Sequence, residues 1–219
     1  MQKKEVQTDS GGSTGADCWE NDYARRGRVW GGAVHSLPQL APGSRVLELG
    51  CGNGKTCTAL LANGAEVTGI DFSESATRLC RKAIQEFPRG EVIVADARDL
   101  PFAAGSFGAV TAFHVLGHLT AGDRYRSARD AVRVLDCGGT LYFSGFSRED
   151  FRAGTGCETE PETFCKKNGI ATHYFTEDEV RTLFCDLTPA SCTTRRWTLS
   201  VRGKKYPRAE ISAVFNKVQ

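Results

Sequence analysis

The chain has 219 residues and a mass of 23.8 kDa, which suits one sizeable domain. Its 28 Lys and Arg against 26 Asp and Glu leave a net charge of +2, which disfavours nucleic-acid binding through bulk electrostatics. Apolar residues make up 40% of the chain, no run of about 18 of them occurs, and the N-terminus has no apolar signal sequence, so we expect a folded cytoplasmic protein without a membrane anchor.

Residues 1–17 are polar and rich in Gly and Ser, so we expect a disordered leader before a single domain over 18–219. Residues 18–44 hold aromatic anchors and a Gly-Gly pair, which predicts an N-terminal helical cap of two short pieces. A regular alternation follows, with strands predicted over 45–49, 66–70, 91–95, 108–113 and 140–146 and helices over 55–61, 74–87 and 124–135. This alternation is typical of βαβ units and predicts an α/β fold with a doubly wound, mostly parallel sheet.

The alternation ends after residue 146. Residues 147–175 contain glycines and a proline with little apolar pattern, so we expect a long irregular insertion. Thr176 is predicted to cap a helix, because Glu179 follows it at the spacing of a capping box. Two further strands, over 191–201 and 210–218, are joined by RGKKYPR and predict a hairpin. The sheet then has seven strands and ends with an antiparallel C-terminal strand.

The strongest motif is VLELGCGNGKT, residues 46–56, in which glycines separate a strand from a helix. Such a turn lets a ligand approach the backbone closely, and the following helix offers free N–H groups. Asp71 stands 21 residues after Gly50, just beyond the second strand, where a carboxylate can accept both hydroxyls of a ribose. These features fit a nicotinamide dinucleotide as well as other adenosine cofactors.

Three details favour a different adenosine cofactor over a nicotinamide dinucleotide. The glycines are spaced GxGxG, where the dinucleotide fingerprint has GxGxxG. Glu48 lies within the first strand, where an unpaired carboxylate is costly, so we expect a cationic or hydrogen-bonding ligand group beside it. Asp96 and Ala97 follow the third strand and place a second carboxylate where an adenine amino group can donate to it.

Together these motifs resemble a class I S-adenosylmethionine-dependent methyltransferase, over about residues 19–146. VLELGCGNGKT is similar to the first motif of that family, and the later matches are VTGIDFS (67–73), VADARDLPF (94–102), AFHVLGHL (112–119) and AVRVLDCGG (131–139). Gly108 and the pair Asp136-Cys137 depart from the family pattern, outside the expected cofactor contacts. The resemblance implies a Rossmann-like fold, S-adenosyl-L-methionine as the cofactor and S-adenosyl-L-homocysteine as its product.

The resemblance also implies which residues contact the methionine and ribose parts of the cofactor. Gly50 and Gly52 would pack beneath it, and Glu48 would face the methionine amino group. Asp71 would hold the ribose, and Tyr23 would contact the cofactor carboxylate. The structural alternatives are a helix cap for Asp71 and an ion pair for Glu48.

At the adenine, the resemblance implies that Phe72 covers one face while Asp96 and Ala97 meet the edge. Phe113 and His114, at the end of the fourth strand, would lie beside the sulfonium. The structural alternatives are core packing for Phe72 and turn stabilisation for Asp96.

Catalytic residues are hard to recognise, because methyl transfer from a sulfonium depends mainly on the position of the acceptor. The fourth strand ends in AFHV, without the Asn/Asp-Pro-Pro-aromatic signature of amino-group methylation on bases, and no Pro-Cys pair is present for methylation at C5 of pyrimidines. We therefore expect a small-molecule acceptor, with residues 147–175 and the N-terminal cap as its lid. His114 and His173 are the candidate bases, and His118 is expected to be structural.

The C-terminal hairpin carries basic residues without an intervening acid: Arg195, Arg196, Arg202, Lys204, Lys205 and Arg208. One hypothesis is a docking surface for a protein or RNA substrate. The other, which we favour, is a solvated basic edge that discourages strand pairing. A third class of function is a dehydrogenase or a non-catalytic nucleotide binder, against which the GxGxG spacing and Glu48 argue.

Nine cysteines are present without CxxC or CxxH spacing, so we expect neither a metal site nor a disulfide framework. Most are interpreted as small packing residues. Cys57 follows the glycine loop, and arsenite methyltransferases resemble this arrangement, with a cysteine at the corresponding place in their first motif. This resemblance makes metalloid or thiol methylation a minor alternative. The further thiols that such a site needs would come from Cys157, Cys165, Cys185 and Cys192.

Overall fold

The computed structural model describes residues 15–27 and 37–218. The helices are α1 (Gly15–Arg26), α2 (Lys55–Ala62), α3 (Glu74–Ile84), α4 (Ala121–Val134) and α5 (Glu177–Leu183). The strands are β1 (Arg45–Leu49), β2 (Glu66–Asp71), β3 (Gly90–Val94), β4 (Phe107–Phe113), β5 (Leu135–Phe146), β6 (Cys157–Glu160), β7 (Thr163–Cys165), β8 (Ala171–His173), β9 (Thr188–Val201) and β10 (Lys204–Asn216). No helix within these ranges is long and apolar enough to cross a membrane.

Seven strands form the main sheet, in the order β3-β2-β1-β4-β5-β10-β9. Strands β1 to β5 are parallel, whereas β10 is antiparallel to both β5 and β9. The predicted fold class, a mostly parallel seven-stranded sheet with an antiparallel C-terminal end, is confirmed. The strand order reverses between β1 and β4, and ligands of open α/β sheets bind at the carboxyl ends of the strands beside such a reversal.

Apolar side chains fill both faces of the sheet, which explains why the parallel strands read as nearly continuous apolar runs. Val46 of β1 belongs to a cluster with α2 and α3, while its neighbour Leu47 belongs to a cluster with α4 and α5. Thr176 caps α5 by accepting a hydrogen bond from Glu179 N at 3.1 Å, as the capping box predicts. Because both faces of the sheet are packed, the ends of its strands, which carry the polar residues, are held in place.

The insertion over 147–175 is not irregular as expected, because β6, β7 and β8 form a separate antiparallel sheet within it. Its strands have only three or four residues, too few for an alternation to stand out in the sequence. Glu160 at the end of β6 accepts a hydrogen bond from Ala121 N at 2.9 Å and so holds this lid sheet against the start of α4.

Three predicted boundaries also differ from the structure. The turn of the C-terminal hairpin is Arg202-Gly203 alone, because the rest of RGKKYPR already lies in β10. Strand β5 begins directly after α4, so the glycine pair at 138–139 lies within the strand and does not close the helix. Helix α1 begins at Gly15, inside the predicted leader, and the proposed second piece of the cap falls on 28–36, outside the described residues.

Candidate active site

The loop from β1 to α2 depends on glycine at three positions. Gly50, Gly52 and Gly54 have φ angles of 68°, 52° and 81°, in the left-handed region that other residues avoid. A Cβ on Gly50 would lie 2.8 Å from a methyl carbon of Val115, and a Cβ on Gly52 would lie 2.6 Å from Tyr23 Oη. The loop therefore packs closely between the segment after β4 and α1.

Asp71, at the end of β2, is fixed against this loop. Its two carboxylate oxygens accept hydrogen bonds from Gly52 N and Ser73 N, both at 3.0 Å. Burial raises the pKa of Asp71 to about 6, although these two backbone N–H groups oppose the shift. Ser73, and not Asp71, caps α3 by accepting from Ala76 N. The position of Asp71 therefore follows from its contact with the glycine loop.

Helix α1 lies across the loop and is held there by Glu20, a residue that the sequence did not single out. Its carboxylate accepts hydrogen bonds from Ser73 Oγ at 2.6 Å and Ser75 Oγ at 2.5 Å, at the start of α3. Tyr23, one turn later, is buried, and burial together with the charge of Asp71 raises its pKa. No local pattern reveals Glu20, because its partners are 53 and 55 residues away.

Glu48 is buried within the sheet beside the loop. Thr111 of the neighbouring strand β4 donates a hydrogen bond to its carboxylate, as does Thr56 of α2. Burial nevertheless raises the pKa of Glu48 to about 8. The protein thus supplies the hydrogen-bond donors that the buried Glu48 carboxylate needs. Contact of Glu48 with a cofactor amino group stays a prediction.

The residues expected around adenine lie beyond β2 and β3. Phe72 is 40% exposed, so it is not a core residue and offers an accessible aromatic face. The carboxylate of Asp96 is bound by the guanidinium of Arg98 at 2.6 Å, and this contact lowers its pKa. Arg98 also binds Asp123, at 3.0 Å, and so ties the segment after β3 to α4. The roles of Phe72, Asp96 and Ala97 toward adenine remain predictions.

His114 directly follows β4 and has an unusual backbone, with φ at 57°. Its ring lies 4.4 Å from that of Phe146, and its Nε2 lies 3.6 Å from a carboxylate oxygen of Glu210. Its Nδ1 is buried and has no hydrogen-bond partner among the described residues, although 37% of the side chain is accessible. Burial lowers the pKa of His114, and the nearby Arg152 and Arg208 lower it further. His114 is therefore neutral at neutral pH, with one nitrogen unpaired.

Comparison with known proteins identifies this arrangement. The family model of the methyltransferase domain matches residues 47–143. A demethylmenaquinone methyltransferase of Clavibacter sepedonicus is 34% identical over 120 residues, which are 55% of this chain and 48% of that protein. A tRNA N(3)-methylcytidine methyltransferase of Drosophila melanogaster is 31% identical over 207 residues, which are 82% of this chain and 62% of that protein. The chain thus spans about half to three fifths of these curated relatives.

The crystal structure of an S-adenosylmethionine-dependent methyltransferase from Methanosarcina mazei matches with a TM-score of 0.70 at 25% identity, covering 84% of this chain and 99% of that one. This chain belongs to the class I S-adenosylmethionine-dependent methyltransferases. The resemblance stated from the sequence motifs is thereby confirmed, and S-adenosylmethionine is the cofactor of the class.

The methyltransferase fold brings together only part of the predicted site. Tyr23, Gly52 and Asp71 form one contact group, and Val115, which the sequence missed, connects Gly50 to the segment that carries His114. Phe113 is half-buried at the end of β4, directly before His114. The signal for Val115 was its place two residues after a strand end in the fourth motif.

His173 is not placed as a base, which corrects the expectation. Its Nδ1 lies 2.8 Å from Thr163 Oγ1, and its Nε2 lies 2.9 Å from a carboxylate oxygen of Glu179. The side chain is only 4% exposed. Both ring nitrogens are thus in use, Nδ1 within the lid sheet and Nε2 between this sheet and α5. His118 is structural as expected, since its Nδ1 contacts Ala171 O at 2.7 Å.

The cysteines that metalloid methylation would need do not lie together in the structure. Cys57 is buried beneath the glycine loop, in hydrogen-bonding contact with Cys51 and Cys80. Cys157 and Cys165 face each other across β6 and β7 in the lid sheet, and Cys185 and Cys192 lie beside α5. Within the described ranges, no group of three or more His, Cys, Asp or Glu is arranged to hold a metal ion.

Proposed function

We propose that the chain transfers the methyl group of S-adenosylmethionine to a small-molecule acceptor at the carboxyl ends of β4 and β5. The observation that carries this proposal is the joint placement of Asp71 on the glycine loop and of an unpaired His114 nitrogen at the end of β4. The small-molecule preference draws on relatives such as the demethylmenaquinone methyltransferase.

The residues present suit the cofactor. The glycine loop would receive its methionine part, Asp71 its ribose hydroxyls and the exposed face of Phe72 its adenine. When bound, S-adenosylmethionine supplies a methyl group on a sulfonium sulfur, and the electron pair of the broken C–S bond stays on that sulfur as the acceptor lone pair forms the new bond to carbon.

His114 would remove the proton that the acceptor loses. A proton on Nε2 faces Glu210, which leaves the lone pair on Nδ1; because Nδ1 is buried, the ring would have to turn outward to accept a second proton from an acceptor N–H or O–H group. The carboxylate of Glu210 stabilises the resulting imidazolium, whereas Arg152 and Arg208 oppose it and favour release of the proton to solvent.

Calorimetric titration with S-adenosylmethionine and S-adenosylhomocysteine tests the cofactor site. Asp71→Ala should weaken both by roughly 1.5–3 kcal/mol, because the ribose hydroxyls lose a charged acceptor. Asp186→Ala, which removes an exposed carboxylate between α5 and β9, is the matched control and should leave both affinities unchanged. An unaltered affinity in Asp71→Ala would remove this residue from the site.

RNA is a second candidate acceptor. The tRNA methyltransferase relative aligns over 82% of the chain, whereas the demethylmenaquinone methyltransferase aligns over 55%. Aromatic and basic side chains also alternate on the hairpin, with Trp197 4.8 Å from the guanidinium of Arg195 and 5.2 Å from that of Arg208. Surfaces that bind single-stranded nucleic acids combine such rings with positive charge.

Labelled cofactor and size-fractionated cell extract separate the two acceptors. A small-molecule enzyme should label the low-mass fraction, and the triple variant Arg202→Glu, Lys204→Glu, Lys205→Glu should retain that turnover. Label in RNA that this variant abolishes, with a flattened salt dependence, would favour the second candidate.

A further inference from the structure

Two arginines beside the proposed acceptor site share one carboxylate. Arg152 Nε donates to Asp150 Oδ1 at 2.7 Å, and Arg208 Nε donates to Asp150 Oδ2 at 2.6 Å. The Asp150 side chain is wholly buried, and the two arginine side chains are only 19% and 14% exposed. Two guanidinium charges against one carboxylate leave an excess positive charge in a largely buried position, which is costly unless a ligand balances it.

Three of the four outer nitrogens of these guanidinium groups are not used by the protein, while Arg152 Nη2 donates to Asp150 Oδ2 at 3.3 Å. Arg152 Nη1 and both Nη atoms of Arg208 have no hydrogen-bond partner in residues 15–27 and 37–218. None of these atoms is among the buried unpaired polar atoms, so all of them reach solvent. Asp150 holds each group by its inner edge and leaves donors directed away from the shared carboxylate.

Aromatic rings hold the guanidinium groups next to His114. The Arg152 guanidinium lies 3.9 Å above the ring centre of Phe146, and that of Arg208 lies 5.4 Å from the same centre. The Phe146 ring is in turn 4.4 Å from the ring of His114. Glu210, which lies beside His114, is itself 3.4 Å from Arg195, so it does not cancel the excess charge.

We infer that Arg152 and Arg208 together bind an oxyanion, carboxylate or phosphate, of the methyl acceptor. This inference rests on the proposed function and assigns its substrate class. Guanidinium groups suit this role, because their paired N–H donors match the oxygen spacing of carboxylate and phosphate. A bound anion also offsets the two charges that lower the pKa of His114, which makes this histidine a stronger base once the acceptor is in place.

Calorimetry on the chain saturated with S-adenosylhomocysteine tests the inference, with phenyl phosphate and benzoate as probes and neutral phenol as the control ligand. The two anions should bind saturably, and phenol should not. Arg152→Gln and Arg208→Gln should each weaken anion binding roughly tenfold or more. Lys167→Gln, which removes an exposed positive charge from the lid, should change it less than twofold.

Arg208→Lys guards against misfolding, because a lysine retains the charge beside Asp150 but not the forked donors; it should also weaken both anions. Loss of binding in this variant with unchanged affinity for S-adenosylhomocysteine supports the subsite. Equal anion binding in all variants, or equal binding of phenol, would overturn it. A short single-stranded oligoribonucleotide is titrated in the same way as a further ligand. If only this ligand binds, and the same arginine variants weaken its binding, the subsite stands and its anion is an RNA phosphate.

Failure of the proposed function is distinguishable from failure of this inference. A chain that binds neither S-adenosylmethionine nor its product loses the proposed function, whereas anion titration without cofactor still measures the arginine pair.

Discussion

The cofactor half of the site, at the ends of β1 and β2, and the acceptor half, around Phe146 and the lid sheet, are built differently. Asp71 in the first half binds backbone N–H groups of Gly52 and Ser73, within the motifs themselves. Polar side chains in the second half bind one another over long separations, as Asp150 and Arg208 do across 58 residues. The contacts of Asp71 are therefore fixed within the family motifs, while the arginine pair of the acceptor half depends on a long-range contact outside them.

The largest expected effect tests the acceptor half. His114→Ala should lower methyl transfer about a hundredfold or more, because the proton of the acceptor loses its base. Transfer of labelled methyl to the acceptor fraction of a cell extract measures this loss. His173→Ala is the matched control, since it should lower the free energy of unfolding by roughly 1–3 kcal/mol and leave the chemistry intact. A pH–rate profile altered by His173→Ala, and not by His114→Ala, would reverse the two assignments.

The next effect tests the local construction of the cofactor half. Gly50→Ala and Gly43→Ala both force alanine into positive φ, which costs roughly 1–2 kcal/mol. Only the first also drives a Cβ against Val115, for roughly 1–3 kcal/mol more, since nothing lies within 4 Å of the second. Urea unfolding should rank the variants in that order, and only Gly50→Ala should lose affinity for S-adenosylhomocysteine. Equal stabilities would show that the contact with Val115 is not needed.

The smallest effect is a pH dependence. The pKa of Asp71 lies near 6 in the fold, above its ordinary value, so protonation favours the folded chain at low pH and that stability is lost as the pH rises through about 6. Affinity for S-adenosylhomocysteine should change in the opposite direction, rising several-fold between about pH 5 and 7 as the carboxylate ionises. Calorimetry at both pH values measures the rise, and Asp71→Asn should abolish it. A wild-type affinity independent of pH contradicts the shift.

Sequence reasoning locates a residue best where its position depends on neighbours in the chain. The glycine loop and Asp71 were found because strand, turn and helix follow one another within a few residues. His114 and His173 look equivalent in the sequence, since each lies beside aromatic residues, and only tertiary contacts show that Thr163 and Glu179 use both nitrogens of His173. Asp150 gave no signal at all, because an aspartate in a polar insertion looks solvated until its two arginines are known.

The attachment of α1 by Glu20 has a kinetic consequence. Among its described side chains only Asp22 and Tyr23 are buried, and the helix contributes nothing to the hydrogen bonds between strands. Detaching it requires the release of one carboxylate from two serine hydroxyls, the withdrawal of one tyrosine ring and the separation of Trp19 from the ring of His118, 4.7 Å away, with the sheet left intact. Such weakly held segments open far more often than the core. Local opening of α1 therefore uncovers the glycine loop without unfolding the sheet.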